Sequence, residues 1–250
     1  MSVQFFTDSQ MPVPAVNTEE MREIDRIAIQ ETGPNLFQMM ENAGRNLAML
    51  AIEILGHHWE KANIVILAGT GGNGGGGICA GRHLENRNAK VNLCMTNPDK
   101  LADTPKYQLH VYQHANGRIL QQQQLFRTPC DLVIDAIFGY GLTSEPGGKA
   151  KELIAWANSK NVPKISLDVP SGVHATNGRT PGIYIQPEFT LTLALPKTGL
   201  LPKLTGGLYL ADIGIPVQTF IRIGINYTYP FDKSFMIKLR QRIAPDEQLM

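Results

Sequence analysis

The sequence lacks the long apolar run that a membrane-spanning helix requires. No window of its 250 residues approaches the roughly 20 consecutive apolar residues that cross a bilayer. The N-terminus also lacks the basic start and apolar core of a secretion signal. Lysine and arginine total 23 against 22 acidic residues, so the net charge of +1 leaves no bulk basic surface for nucleic acid or anionic lipid. The composition therefore predicts a cytoplasmic protein that binds neither nucleic acid nor membrane.

Cysteine is scarce and scattered. Cys79, Cys94 and Cys130 lie far apart in apolar stretches, which fits neither a disulfide framework nor a CxxC metal site. We expect three small buried thiols. His110 and His114 have the spacing of a zinc-protease helix, but no glutamate follows His110, so the pair predicts only a surface helix face.

Short apolar runs alternate with helical patterns from residue 63 onward. Continuous apolar strands separated by helices are typical of a parallel sheet covered on both faces. The predicted strands cover residues 64–68, 91–95, 131–139, 164–170, 189–196 and 207–216, and the predicted helices cover residues 17–30, 36–54, 78–87, 149–160 and 232–242. The pattern predicts one α/β domain over residues 1–250, with a mostly parallel sheet covered on both faces.

Polar residues and glycines gather where the predicted strands end. The first apolar run is followed by GTGGNGGGG at residues 69–77, the third contains Asp135, the fourth contains Asp168, and the fifth is followed by Lys197. In open α/β sheets the ligand crevice lies outside the carboxyl ends of the strands, where the strand order reverses. We therefore expect these groups to face one crevice.

The glycine stretch fits a phosphate-binding turn, because glycine lets the backbone approach a phosphate at a helix N-terminus. Gly69, Gly71 and Gly74 satisfy GxGxxG, although the match is nearly automatic in so glycine-rich a run. A dehydrogenase would need an acidic residue after the second strand, and a P-loop would need a closing Gly-Lys-Ser/Thr; both are missing. Ser171 likewise lacks the GxSxG elbow of a serine hydrolase.

Several further segments occur in a specific order. They are MENAGR at 40–45, the glycine stretch followed by ICAGRHL at 78–84, IDAIFGYGL at 134–142, LDVPSGV at 167–173, LPKTGL at 195–200 and DIGIP at 212–216. Together they resemble the NAD(P)H-hydrate epimerase family, the YjeF N-terminal domain, over residues 17–216. The resemblance implies a Rossmann-like three-layer α/β/α sandwich around a mostly parallel sheet, with a core over residues 17–216 and a C-terminal tail at 217–250. It also implies that the protein forms a homodimer and carries a potassium ion.

The family's reaction interconverts the R and S epimers at C6 of hydrated NADH or NADPH (NADHX or NADPHX), so that a separate dehydratase can restore the nicotinamide. By the family's pattern, Asn73, Asp135 and Ser171 would hold the potassium ion through oxygen atoms, the donors that a hard cation prefers. Asp168 is the first candidate for proton transfer, with Lys197 as its electrostatic or acid partner.

The family's pattern also assigns substrate contacts to the glycine stretch and to two other strand ends. The residues concerned are Gly72, Asn73, Gly74, Gly75, Gly76, Gly139, Tyr140, Gly141, Leu142, Thr143, Ser144, Glu145 and Asp168. The usual family stretch is GxGNNGGDG, so Gly72 replaces an asparagine and Gly76 replaces an aspartate. Two other interpretations therefore stay open. One is a non-catalytic nucleotide-binding or interaction protein on the same scaffold, and the other is an isomerase or transferase of a different nucleotide or sugar phosphate.

Overall fold

One ten-stranded sheet runs through the part of the chain that the computed structural model describes, residues 3–243. Its strands are β1 (Val3–Thr7), β2 (Pro12–Val13), β3 (Asn63–Ala68), β4 (Lys90–Met95), β5 (Arg118–Ile119), β6 (Leu132–Ala136), β7 (Lys164–Leu167), β8 (Phe189–Leu193), β9 (Gly207–Ala211) and β10 (Met236–Ile243). They lie in the order β2-β1-β10-β9-β8-β7-β6-β3-β4-β5. The pairings from β9 to β5 are parallel, and those that join β9, β10, β1 and β2 are antiparallel. The prediction of a mostly parallel α/β sheet is confirmed.

The helices connect the strands. They are α1 (Thr18–Ile27), α2 (Leu36–Leu55), α3 (Gly72–Glu85), α4 (Asp103–His114), α5 (Gln122–Leu125), α6 (Gly148–Asn158), α7 (Pro202–Thr205) and α8 (Val217–Arg222). A π-helical turn, Ala28–Thr32, continues α1, and short 3-10 turns lie at Gly56–His58 and Pro98–Lys100. Within residues 3–243 no helix has both the length and the apolarity needed to cross a membrane.

The sheet is covered on both faces, which the side chains of β3 make plain. Ile64 and Ile66 belong to a core that includes residues of α2 and α3, whereas Val65 and Leu67 belong to a second core with residues of α6. Successive side chains of a strand point to opposite faces, so a strand apolar on every residue must have a helix layer on each side. The three-layer arrangement follows.

The predicted C-terminal helix at residues 232–242 is wrong. The segment forms β10, which pairs with β9 on one side and with β1 on the other. Leu239 is buried between exposed Lys238 and Arg240, the alternation of a strand that covers a core with one face. Its partner β1 comes from the opposite end of the chain, and the local composition of residues 232–242 does not indicate this pairing.

The helix predicted at residues 78–87 begins earlier than expected, because α3 starts at Gly72. A Cβ at Gly74 would lie 2.0 Å from the carbonyl oxygen of Gly69, and one at Gly77 would lie 2.4 Å from the Cβ of Ala136. These glycines let α3 pack directly against the strand ends. Much of the glycine stretch therefore serves close packing, and only Gly71 and Gly72 within it are exposed to solvent.

Candidate active site

The strand order reverses between β3 and β6. After β3 the chain moves outward to β4 and β5 and then returns to β6 on the other side of β3. The loops that follow β3 and β6 diverge, which opens a crevice at the carboxyl ends of the strands. A cleft of about 600 Å³ lies there, within the roughly 300–1,000 Å³ of small-molecule sites. This cleft is the candidate active site.

The cleft brings together most of the residues predicted from the sequence. Those that line it are Gly72, Asn73, Gly76, Gly139, Tyr140, Gly141, Leu142, Asp168 and Lys197. Gly74 and Gly75 lie inside the packed part of α3 instead, and Thr143, Ser144 and Glu145 are exposed beyond its lining. Asp135 and Ser171 are fully buried and hydrogen-bond to each other rather than line the cleft.

A buried ion pair lies in the cleft. The Nζ of Lys197 contacts Oδ1 of Asp168 and also donates to the carbonyl of Leu193 at 2.9 Å. The side chains of Lys197 and Asp168 are only 1% and 5% exposed, so each charge depends on the other for compensation. The second carboxylate oxygen, Oδ2 of Asp168, accepts the backbone N–H of Tyr140 at 3.0 Å.

The backbone of Asp168 is strained. Its φ of +67° lies in the left-handed region, which aspartate and asparagine tolerate better than most residues with a side chain. The turn after β7 holds this conformation, since the N–H of Asp168 donates to the carbonyl of Leu191 at 2.7 Å. Strained residues of this kind cluster at functional sites because the surrounding structure fixes their side chains.

Asp25 also lines the cleft, and the sequence analysis missed it. The hydroxyl of Tyr140 donates to Oδ2 of Asp25 at 2.5 Å. Burial raises the pKa of Asp25, while the Tyr140 hydrogen bond and the charge of Lys197 oppose that rise. Burial also raises the pKa of Tyr140, so its hydroxyl remains a donor. The sequence did contain a signal for this position: Asp25 lies four residues after buried Met21, so it borders the apolar face of α1 and faces the protein interior.

The buried Asp135 carboxylate accepts four hydrogen bonds. Oδ1 accepts from the Ser171 hydroxyl at 2.5 Å and from the Ile137 N–H at 3.2 Å, and Oδ2 accepts from the Ser171 N–H at 2.9 Å and the Ser166 hydroxyl at 2.8 Å. Burial raises the pKa of Asp135, and these hydrogen bonds oppose the rise. Within residues 3–243 no lysine, arginine or histidine forms a salt bridge with it.

Asn73 lies close to Asp168 across Gly139. A Cβ at Gly139 would lie 3.2 Å from Oδ1 of Asn73 and 3.0 Å from Oδ2 of Asp168, so only glycine leaves both oxygens undisturbed. The buried Nδ2 of Asn73 has no hydrogen-bond partner among residues 3–243. A buried donor without a hydrogen-bond partner costs folding free energy, and a bound group that accepts from this amide would recover it.

The two positions that depart from the family's pattern differ in their surroundings. A Cβ at Gly72 would meet nothing within 4 Å, whereas a Cβ at Gly76 would lie 2.8 Å from Cδ2 of Leu167. The wall of the cleft therefore has room for a side chain at Gly72, and at Gly76 only if the end of Leu167 moves.

A second polar cluster joins α2 to α3 outside the cleft. Ligand atoms of Glu41, Cys79 and His83 lie within 4.8 Å of one another. However, Nη2 of Arg82 lies 2.5 Å from Glu41 Oε2, 3.3 Å from Cys79 Sγ and 3.3 Å from His83 Nε2. The guanidinium group already supplies the positive charge that a metal ion would bring, so we interpret the cluster as an ion pair between the helices.

The sequence profile of the family described as YjeF-related protein N-terminus matches residues 36–199. The chain belongs to this family. The match includes α3 with the glycine stretch before it, β6, the turn that carries Asp168, and Lys197. It ends before β9 and β10.

Curated relatives in the family carry different names. An NAD(P)H-hydrate epimerase of Dehalogenimonas lykanthroporepellens is 48% identical over 240 residues, which cover 96% of this chain and 98% of the relative. The bifunctional NAD(P)H-hydrate repair enzyme Nnr of Moorella thermoacetica is 35% identical over 80% of this chain but only 40% of its own length. The human enhancer of mRNA-decapping protein 3 is 31% identical over 96% of this chain and 47% of its own length.

A solved structure has the same fold. The crystal structure of yeast YNL200c superposes with a TM-score of 0.79 and covers 90% of this chain and 100% of the yeast chain. The sequence identity of the pair is 21%, so the likeness supports the fold alone.

Proposed function

We propose that this protein is an NAD(P)H-hydrate epimerase that interconverts the R and S epimers at C6 of NADHX or NADPHX. The observation that carries the proposal is the 48% identity to a protein of that name over almost the full length of both chains. A cleft at the strand-order reversal, with a buried ion pair in it, is consistent with chemistry on a nucleotide.

The beginning of α3 suits the phosphates of such a substrate. Gly72 and Asn73 form the first turn of the helix and line the cleft, and the N-cap residue Gly71 provides no side chain to satisfy the free N–H groups. These N–H groups and the helix dipole favour an anion. We infer that the substrate's pyrophosphate lies against this turn.

The reacting ring would then lie near Asp168 and Lys197. Epimerisation at C6 requires a proton to be removed from the substrate and returned to it as the ring opens or an iminium forms. The ion pair supplies opposite charges whose side chains are almost fully buried, where they act more strongly than in water. The predicted position of Asp168 and Lys197 beside the reacting ring is compatible with this geometry and forms part of the proposal.

We also propose a potassium ion held by Asp135, Ser171 and Asn73. The residues fit the ion chemically, since the Asp135 carboxylate is fully buried without a basic partner in residues 3–243, and the hydroxyl oxygens of Ser166 and Ser171 lie beside it. A bound cation would neutralise Asp135 and hold the loops after β3, β6 and β7 together. Asn73 would turn Oδ1 to the ion and leave Nδ2 for the substrate.

The cellular context belongs to the same proposal. We infer a cytoplasmic homodimer that works with a separate dehydratase, which consumes the product. The relative named as a bifunctional repair enzyme is much longer than this chain, which covers 40% of it.

The second candidate function is a non-catalytic protein on the same scaffold. Two observations favour it: the absence of side chains at Gly72 and Gly76, and a relative named for mRNA decapping that matches 96% of this chain. Such a protein would bind a nucleotide or a partner without turning over NADHX.

The deciding experiment follows the R epimer of NADHX and of NADPHX by chromatography that resolves the two epimers, with and without the pure protein. We expect conversion to the S epimer well above the spontaneous rate, supported by potassium and lost in Asp168→Asn. The matched control is Glu23→Gln, which removes an exposed carboxylate on α1 that pairs with Arg26. No acceleration of either substrate by a folded protein would favour the non-catalytic alternative.

A further inference from the structure

Two carboxylates of the cleft are joined through one tyrosine. The backbone N–H of Tyr140 donates to Oδ2 of Asp168 at 3.0 Å, and its hydroxyl donates to Oδ2 of Asp25 at 2.5 Å. Both aspartates line the cleft. The site therefore holds a second acidic group in addition to the one that the family's pattern points to.

The two carboxylates differ in how far their oxygens are already engaged. Oδ1 of Asp168 contacts Lys197 Nζ and receives the Leu193 N–H at 3.4 Å, and Oδ2 receives the Tyr140 N–H. Protonation of Asp168 would break an ion pair whose lysine side chain is 1% exposed. Asp168 is therefore better suited to hold charge than to exchange a proton.

Asp25 has the opposite character. Its Oδ2 accepts the Tyr140 hydroxyl, whereas among residues 3–243 no donor reaches its Oδ1. Burial raises the pKa of Asp25 above that of an ordinary aspartate, toward the range in which a general base works best. A carboxyl group with one free oxygen, in the cleft and beside the ion pair, can accept a proton without breaking a salt bridge.

We propose that Asp25 is the residue that takes the proton from the C6 hydroxyl of the substrate and returns it, while the Asp168–Lys197 pair stabilises the charge that develops on the ring. This assignment rests on the proposed epimerase function and names the proton carrier within the same site. Tyr140 is a positioning residue, because it fixes the orientation of Asp25 through the hydrogen bond to Oδ2.

Proton transfer to Asp25 is coupled to opening and closure of the substrate ring. Oδ1 of Asp25 accepts the hydroxyl proton, the bond between C6 and the ring nitrogen N1 breaks, and its electron pair stays on N1, delocalised into the conjugated carboxamide. C6 becomes an aldehyde carbon, and the ammonium of Lys197 stabilises the negative charge. Rotation about the adjacent carbon–carbon bond turns the other face of C6 toward N1. The ring closes, and Asp25 returns the proton to the oxygen.

The first test compares the epimerisation kinetics of the unsubstituted protein, Asp25→Asn, Asp25→Glu and the control Glu23→Gln. We expect Asp25→Asn to lower kcat by roughly 10²- to 10⁴-fold, the usual contribution of a general base, with KM changed far less. Asp25→Glu should restore part of the rate because it restores a carboxylate, and Glu23→Gln should leave the rate unchanged. Thermal unfolding of each variant shows whether it is folded.

The second test remains decisive if Asp25→Asn does not fold. The acidic limb of the pH profile of kcat should shift to higher pH in Tyr140→Phe, because the Tyr140 hydrogen bond lowers the pKa of Asp25. The other charged groups of the cleft remain in that variant: Lys197, which lowers this pKa, Asp168, which raises it, and Arg22 at the edge of the cleft on the same helix.

The outcomes separate this inference from the proposed function. An active unsubstituted protein whose rate survives Asp25→Asn, or whose acidic limb does not move in Tyr140→Phe, would overturn the role of Asp25 and leave the epimerase proposal intact. An unsubstituted protein without epimerase activity would overturn both. A large loss in Asp25→Asn with partial rescue by Asp25→Glu supports the inference.

Discussion

Replacement of Lys197 by methionine should be among the most destabilising single changes in the cleft. Methionine keeps the apolar stem but removes the charge, which leaves the Asp168 carboxylate with only the N–H groups of Tyr140 at 3.0 Å and Leu193 at 3.4 Å. Removing one partner of a buried ion pair costs about 3–5 kcal/mol, because the other charge remains buried and unpaired. Water gives little relief, since the two side chains are 1% and 5% exposed.

Urea unfolding followed by circular dichroism measures this cost, with the double variant Lys197→Met/Asp168→Asn as its partner. The double variant removes the orphaned charge and should recover a large part of the stability lost in Lys197→Met. Asparagine also tolerates the positive φ at position 168, so the second change adds little backbone strain. A loss of unfolding free energy below about 1 kcal/mol in Lys197→Met, which is the range for exposed ion pairs, would refute the buried-pair argument. The argument would also be refuted if the losses of unfolding free energy from the two substitutions simply added in the double variant.

Three further predictions concern the glycine stretch, the cation and the titration of Asp25. Gly74→Ala should cost about 3 kcal/mol or more, because its Cβ would lie 2.0 Å from the Gly69 carbonyl oxygen. The matched change Gly72→Ala, with open space at the Cβ, should stabilise by about 0.5 kcal/mol; equal melting temperatures for the two variants would contradict the packing role. We expect potassium to raise the activity and the melting temperature of the unsubstituted protein, and Asp135→Asn should abolish this rise; a potassium response retained in the variant would exclude Asp135 as a ligand. Burial raises the pKa of Asp25 in the folded state, so its stabilising contribution is complete below its unfolded value of 3.8 and is lost as the pH rises through the folded-state pKa. Asp25→Asn should therefore melt at an increasingly higher temperature than the unsubstituted protein as the pH rises above 3.8, until the pH passes the folded-state pKa of Asp25, and a difference independent of pH would contradict the raised pKa.

Periodicity and strand-end chemistry predicted much of the fold and of the cleft. The apolar runs at residues 64–68 and 91–95 correspond to β3 and β4, because parallel strands buried on both faces are continuous in apolar residues. Asp168 and Lys197 were expected at one crevice because the carboxyl ends of parallel strands meet at one edge of the sheet. The structure brings them into direct contact.

What the sequence did not reveal depends on long-range contacts. The local pattern at residues 232–242 suggested a helix, because local sequence does not show that this segment pairs with β1 from the other end of the chain. Asp25 acquires its environment from Tyr140, which lies 115 residues away. The packing role of Gly74 follows from the approach of Gly69, which letters alone do not show.

Approach to equilibrium from both directions tests the central claim most directly. The pure protein is mixed with the R epimer of NADHX in one sample and with the S epimer in another, and the C6 proton signals of the two epimers are followed by NMR. The account predicts that both samples reach the same ratio of epimers, at a rate proportional to protein concentration and far above that without protein. Rates equal to the spontaneous ones in both directions, for a folded protein with potassium present, would contradict it.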